Sequence, residues 1–323
     1  MRPILWIVLW LAASLPMTVA SSAGLAASPG LLSAAPVVSS ANALFACPTQ
    51  PDRSGRVVAA VMLDGKGPFR FLVDSGANAS MISPRLVPLL QLHLNHDSVM
   101  QVDGATGNQL LPWVEIERLQ AGEVVRTGVR MPLVAGDVLQ GLDGVLGMAG
   151  LGAKMVEVDF AHNRVWIASS EKSLGPGFLV IPALRTEGGL LQVSARIGGV
   201  PVAVVIDTGA SNTLGNAALR SALLRQMSQE EAPARVFGVT RQVAPGGSMP
   251  SPTIALGPIA IQHLHIVYSR VAIFRLWNLE SQPAAIVGMD VLGSVSALVL
   301  DYGRARVLLL PRPPRMPEST NNG

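Results

Sequence analysis

From about residue 53 the chain alternates short apolar runs with turn residues every eight to twelve positions. That spacing belongs to strands in barrels and sandwiches. Residues 57–63 are an apolar run closed by Asp64-Gly65, and 190–197 are a second one closed by Gly198-Gly199. Both read as hairpins, because these dipeptides take the left-handed conformations a tight turn needs. Helix is scarce. The pattern supports short helices only over 84–90 and 216–226, with a turn or two starting at Met148 and Met289.

The two hairpins begin a longer repetition. Each is followed by an aspartate delivered at the end of an apolar run: Phe71-Leu72-Val73-Asp74-Ser75-Gly76-Ala77, then Val204-Val205-Ile206-Asp207-Thr208-Gly209-Ala210, 133 positions later. Two apolar pairs then precede a glycine, Val145-Leu146-Gly147-Met148 and Ile286-Val287-Gly288-Met289. Two strands bearing an acid and an aromatic close the series, at Asp159-Phe160 and Asp301-Tyr302. Shared order and spacing at four landmarks imply an all-β chain of two homologous lobes. The expected boundaries are 52–172 and 178–311, with Gly175-Pro176-Gly177 breaking regular structure between them.

An Asp-Ser-Gly or Asp-Thr-Gly alone is ordinary turn chemistry. Twice, each behind an apolar strand in a duplicated frame, it becomes a candidate site. A carboxylate at the mouth of an apolar run is costly unless something pairs with it, and the natural partner of each is the other.

Composition fits a folded, exported chain. With 323 residues, 49% hydrophobic and 14% charged, the chain can bury one or two sizeable cores and is not of the disordered type. A net charge of +3 without a basic patch argues against a nucleic-acid partner. The single cysteine, Cys47, excludes an intrachain disulfide. Residues 1–20 read as a signal peptide, with Arg2, a short apolar stretch over 4–15 and a Thr18-Val19-Ala20 cleavage site. Pro16 and the short stretch disfavour an uncleaved anchor, so the mature form carries no stable membrane span. Phe45 and its distance from the N-terminus count against lipidation of Cys47. The alanine, serine and proline of 21–51 read as a linker, which as a leader would also cover a cleft, and 312–323 as a loose tail.

At these residues the chain resembles the retropepsin-like and pepsin-like aspartic proteases, whose hallmark is Asp-Ser/Thr-Gly-Ala/Ser in each of two related lobes beside an apolar-apolar-glycine segment. The match runs over roughly 53–310, and Gly288-Met289-Asp290-Val291-Leu292 is similar to bacterial retropepsin-like proteins. The resemblance implies acid-protease β-barrel lobes forming an intramolecular pseudo-dimer around a central cleft. It implies catalytic Asp74 and Asp207 sharing one proton, an arrangement for which aspartic proteases are the standard example. It further implies that Ser75 and Thr208 lock the two turns across the lobes, that Gly76 and Gly209 admit backbone amides, and that Gly147 and Gly288 support the loops. Where pepsin-like enzymes often carry a hydroxyl, this chain has Ala77 and Ala210, so activity is expected nearer neutral pH.

Gly104, Thr106 and Gly107 in one lobe, and Gly238 and Thr240 at the matching interval of the other, are flap candidates; the alternative is plain surface turns. His263 and His265 alternate along an apolar run with no third ligand, so no metal and no cofactor is expected. The implied function is an exported aspartic endopeptidase acting on a peptide or protein as a monomer. A non-catalytic peptide-binding or inhibitory module of the same fold is the alternative.

Overall fold

The computed structural model describes residues 5–6, 47–48 and 56–312, apart from 95–98, 135, 149–150, 152–153, 187 and 227–229. The expected signal peptide, linker and tail thus lie outside the described residues, except for the strand pairs Leu5–Trp6 and Cys47–Pro48 and for Arg312. The chain is mostly β, 52% strand and 10% helix, in one half-barrel sheet and a second, larger sheet.

Each repeat builds the same core motif. In the first, the hairpin Val58–Leu63 and Lys66–Asp74 pairs antiparallel, and Lys66–Asp74 then runs parallel to Gly144–Gly147, with Phe71 opposite Gly144 and Asp74 opposite Gly147. Met81–Ile82 closes on the far side of Gly144–Gly147. In the second, Leu191–Ile197 pairs with Val200–Ile206, which runs parallel to Ala284–Val287, itself flanked by Leu214–Gly215. These central strands read as unbroken apolar runs because both their faces are buried. Val204, Ile206, Ala284, Ala285, Ile286 and Val287 are all fully or almost fully hidden.

The lobes are joined by continuous sheet. Lys154–Asp159 from the first repeat pairs antiparallel with Ala297–Asp301 from the second, Glu157 opposite Val299. Arg164–Ser169 extends this sheet on one side, Arg306–Leu310 and Leu179–Arg185 on the other. Side chains alternate between its faces, as a pleated strand requires. Val156, Val158, Leu298, Leu300, Val307 and Leu309 enter the main core, while Met155, Ala168, Val299 and Leu308 form a second cluster capped by Leu174 and Phe178 of the inter-lobe connection.

Helices are short. Leu86–Leu90 and Ala217–Leu224 fall where the pattern placed them, the latter capped by Asn216, whose side chain accepts from the Leu219 amide. Gly136–Leu139 and Ala272–Leu276 were not foreseen, and each is too short to show a helical period. The alternation of His263 and His265 does not place both on one strand. The strand begins at His265, and His263 sits before it with φ +59°, in the left-handed region. Among the described residues no helix is long and apolar enough to cross a membrane.

Because the shared sheet carries core from both lobes, Leu298→Ala should cost about 2–5 kcal/mol and lower a single cooperative melting transition. Two separated calorimetric transitions would show that the lobes do not depend on it.

Candidate active site

Asp74 ends the strand Lys66–Asp74 and Asp207 follows Val200–Ile206, so two parallel-paired strands project their carboxylates from matching positions. Both residues are 0% exposed. The Gly76 amide donates to Asp74 Oδ1 at 2.8 Å, and the Gly209 and Ala210 amides donate to Asp207 Oδ1 at 2.8 and 3.2 Å. The remaining oxygen of each, Oδ2, is buried without a hydrogen-bond partner among the described residues.

The glycines show how closely the loops approach. A Cβ on Gly76 would overlap the carboxylate of Asp207, and one on Gly209 would overlap that of Asp74. Each loop therefore faces the other lobe's aspartate across a gap that only glycine leaves open.

Hydroxyls fasten the two loops together in a reciprocal exchange. Ser75 Oγ donates to the Ile206 carbonyl at 2.8 Å and accepts from the Thr208 amide at 2.9 Å. Thr208 Oγ1 donates to the Val73 carbonyl at 2.7 Å and accepts from the Ser75 amide at 3.1 Å. All four bonds are buried and all cross between the repeats.

Gly147 and Gly288 lie against these loops. A Cβ at Gly147 would overlap the Ala79 backbone, and one at Gly288 would come within 2.8 Å of the Ala210 carbonyl oxygen. The next amides, Met148 and Met289, donate to the carbonyls of Ala77 and Ala210, each at 2.8 Å. Sequence reasoning missed the hydroxyls that hold these glycines: Ser80 Oγ accepts from the Gly147 amide, and Thr213 Oγ1 from the Gly288 amide. Their separation equals that of the aspartates, a signal present in the sequence. Asp290, within the Gly288–Leu292 motif, accepts from both the amide and the hydroxyl of Thr213, at 2.7 and 2.8 Å.

Val99–Gly104 with Gly107–Ala121, and Ala232–Phe237 with Val243–Pro250, form two hairpins at equivalent places. Their tips meet. Thr106 Oγ1 and Thr240 Oγ1 lie 3.1 Å apart. A Cβ on Gly238 would stand 2.7 Å from Thr106 Oγ1, one on Gly104 2.9 Å from Val239, and one on Gly107 would overlap the Gln242 amide. The tips also exchange lobes: Ala105 belongs to the buried cluster of the second lobe and Val239 to that of the first.

Burial raises the affinity of both carboxyls for a proton. Asp74 is pushed well above the usual carboxylate range by desolvation and then by the charge of Asp207. Asp207 is pushed up to about 6 by desolvation, against the hydrogen bonds that favour its charged form. Ala77 and Ala210, both fully buried, donate nothing from their side chains, so the upward shift is a matter of burial at Asp207 and of burial with the Asp207 charge at Asp74. Asp290 is also raised by burial, opposed by its Thr213 bonds.

An aspartyl protease family model matches residues 59–149 and again 193–291, together more than half of the chain. The two matches coincide with the two repeats. No curated protein matches the chain.

Two outcomes follow from this geometry. Thr208→Val removes the donor to Val73 while keeping the shape, and should destabilise the fold by about 1–3 kcal/mol, with Thr208→Ser restoring most of the loss; equal stability of all three in denaturant titration would remove the exchange as a fastening. Second, carboxyl groups whose folded pKa is raised stabilise the fold fully only below the unfolded value near 3.8, and this contribution is lost as pH rises through about 6 for Asp207. Asp207→Asn should therefore raise the melting temperature above pH 6 and lose that advantage toward pH 3, a trend read by thermal melts across pH.

Proposed function

The chain belongs to the aspartyl protease family, and we propose that it is an exported aspartic endopeptidase in which Asp74 and Asp207 activate water to cleave an extended peptide. The observation that carries this reading is the pair of fully buried carboxylates, each facing the other lobe's glycine and each with one oxygen left unpartnered.

Two carboxyl groups this close in a dry site hold one proton between them over a wide pH range. The ionised member takes a proton from the attacking water as general base. The protonated member donates toward the scissile carbonyl oxygen, where negative charge develops. Water is the nucleophile, so no bond forms between substrate and protein. The amides of Gly76, Gly209 and Ala210 hold the carboxylates against rotation, and the exchange between Ser75 and Thr208 fixes their separation. That positioning matters because small displacements of reacting groups are costly in rate.

The hairpins that meet at Thr106 and Thr240 act as flaps, closing over the substrate and excluding water. One chain carries both aspartates, so a monomer suffices. The signal-like residues 1–20 support export, with a mature N-terminus at Ser21.

The test is a peptide-library digest by protein from the exported fraction, whose intact mass should begin at Ser21, beside Asp74→Asn and Asp207→Asn. Wild type should cut, and each variant should lose at least about 10³-fold of kcat, the scale of removing an acid–base group. Double protonation removes the base, so activity should fall as pH drops through about 6. Cleavage by either variant at the wild-type rate sinks the dyad assignment, and a maximum below pH 4 sinks the claim about its titration.

A further inference from the structure

The chain that follows Asp207 is clamped in a way that the chain following Asp74 is not. Residues 210–213 lie along the start of the helical turn Met289–Leu292 and are bonded to it at both ends. At the near end the Met289 amide donates to the Ala210 carbonyl at 2.8 Å and the Asp290 amide to the Ser211 carbonyl at 3.1 Å. Thr213 closes the far end. Its amide donates to Asp290 Oδ2 at 2.7 Å, and its hydroxyl donates to Oδ1 at 2.8 Å while accepting from the Gly288 amide at 3.4 Å. The Val291 amide adds a bond to Oδ1 at 2.9 Å. Three donors thus converge on one carboxylate, which holds them most strongly when ionised.

The first lobe repeats the frame without the acid. Two residues past its support glycine the sequence has Ala149 where the second lobe has Asp290. Ser80 still accepts from the Gly147 amide and Met148 still donates to Ala77, but an alanine brings no carboxylate to Ser80. The dyad shows a matching difference. The Ala210 amide reaches Asp207 Oδ1 at 3.2 Å beside the Gly209 amide, whereas the Ala77 amide is shared with the main-chain carbonyl of Asp74, at 3.3 Å. Burial raises both carboxyls, Asp207 to about 6 and Asp74 well above the usual range, where the Asp207 charge raises it too.

We propose that Asp290 is a positioning residue for Asp207: by gripping Thr213 it holds the Ala210 amide on the Asp207 carboxylate, which makes Asp207 the general base and leaves the shared proton on Asp74. The proposal rests on the reading of the pair as a hydrolytic dyad, although the grip itself is measurable without hydrolysis. Asp290 acts through contact, since its charge is not among the influences that set either dyad carboxyl. Tyr302 also faces the dyad; burial, then the charges of Asp74 and Asp207, push its phenol up against the charge of Arg185, so it stays neutral. Arg312 donates to the carbonyls of Gly293 and Val295, past the end of the same helical turn.

The test is the pH profile of kcat and KM for wild type, Asp290→Asn, Thr213→Val and Thr213→Ser, run beside carbon-13 carboxyl NMR of aspartate-labelled protein. Asp290→Asn keeps the shape but replaces one acceptor by a donor, and Thr213→Val removes the hydroxyl. In both, the lower apparent step of the dyad, near 6 in wild type, should move up by about one pH unit, the size of one weakened bond to a charged group. In both, kcat should fall about tenfold with KM within about twofold, the pattern of a displaced reacting group. Thr213→Ser, which keeps both bonds to Asp290, should follow the wild-type profile. A lower melting temperature with the step unmoved means a structural role alone and overturns the proposal. So does a downward move, which is the effect of a lost negative charge. Cleavage that is unchanged in both variants overturns it while the protease reading stands. A step that moves up in NMR while no protein cuts any peptide upholds the grip on Asp207 and removes the protease reading.

Discussion

Two carboxyl groups held side by side in a dry interior resist ionising, and repel each other if they both do. Each ion taken from water costs several kcal/mol even after relaxation, whereas a hydrogen bond to a charged group returns about 1.5–3. The amides of Gly76, Gly209 and Ala210 therefore offset only part of what burying Asp74 and Asp207 costs. The rest must come from structure that leaves the loops nowhere else to go. This constraint accounts for the crossing hydroxyls, which tie each loop to the strand of the other, and for the strands behind them, apolar on both faces and anchored in a core common to the two repeats.

The two lobes are also joined at their hairpin tips. Here Ala105 and Val239 cross and pack into opposite lobes, and Thr106 and Thr240 face each other where they pass. Glycine at 104 and 238 is what lets the tips come so near. Both carboxyls are fully buried, and the low dielectric that raises their proton affinity arises from that burial.

Much of this was legible in the chain itself. The aspartates, the two hairpins and the apolar-glycine segments were visible because each is a local pattern written twice, and repetition separates a motif from ordinary turn chemistry. Asp74, Asp207, Gly76 and Gly209 come together as their repeat implied. What stayed hidden was contact between copies. Nothing local says that Lys154–Asp159, beyond its hairpin partner Arg164–Ser169, also pairs with Ala297–Asp301 of the other repeat, since neither carries a register signal. Ser80, Thr213 and Asp290 were overlooked because a hydroxyl or acid near a turn has many possible partners, and only the fold selects one. His263 was misplaced because alternation over three residues is too short to distinguish a strand from the turn before it.

Comparing the copies also separates what the dyad demands from what it tolerates. Each copy keeps a hydroxyl after its aspartate, Ser75 or Thr208, and a second one under its support glycine, Ser80 or Thr213. Each keeps one backbone bond, Ser83 to Asp143 in the first lobe and Asn216 to Ala284 in the second. The side chains securing that bond differ. In the first lobe the Asp143 carboxylate accepts the Arg70 amide and the Arg85 guanidinium; in the second the Asn216 amide group binds four backbone sites, at Leu219, Leu279, Gln282 and Ala284. Covalent linkage permits this divergence, because two lobes in one chain meet at a high effective concentration and need not remain self-complementary as the halves of a symmetric dimer must. The helices that follow these bonds have diverged as well, eight residues long in the second lobe and five in the first.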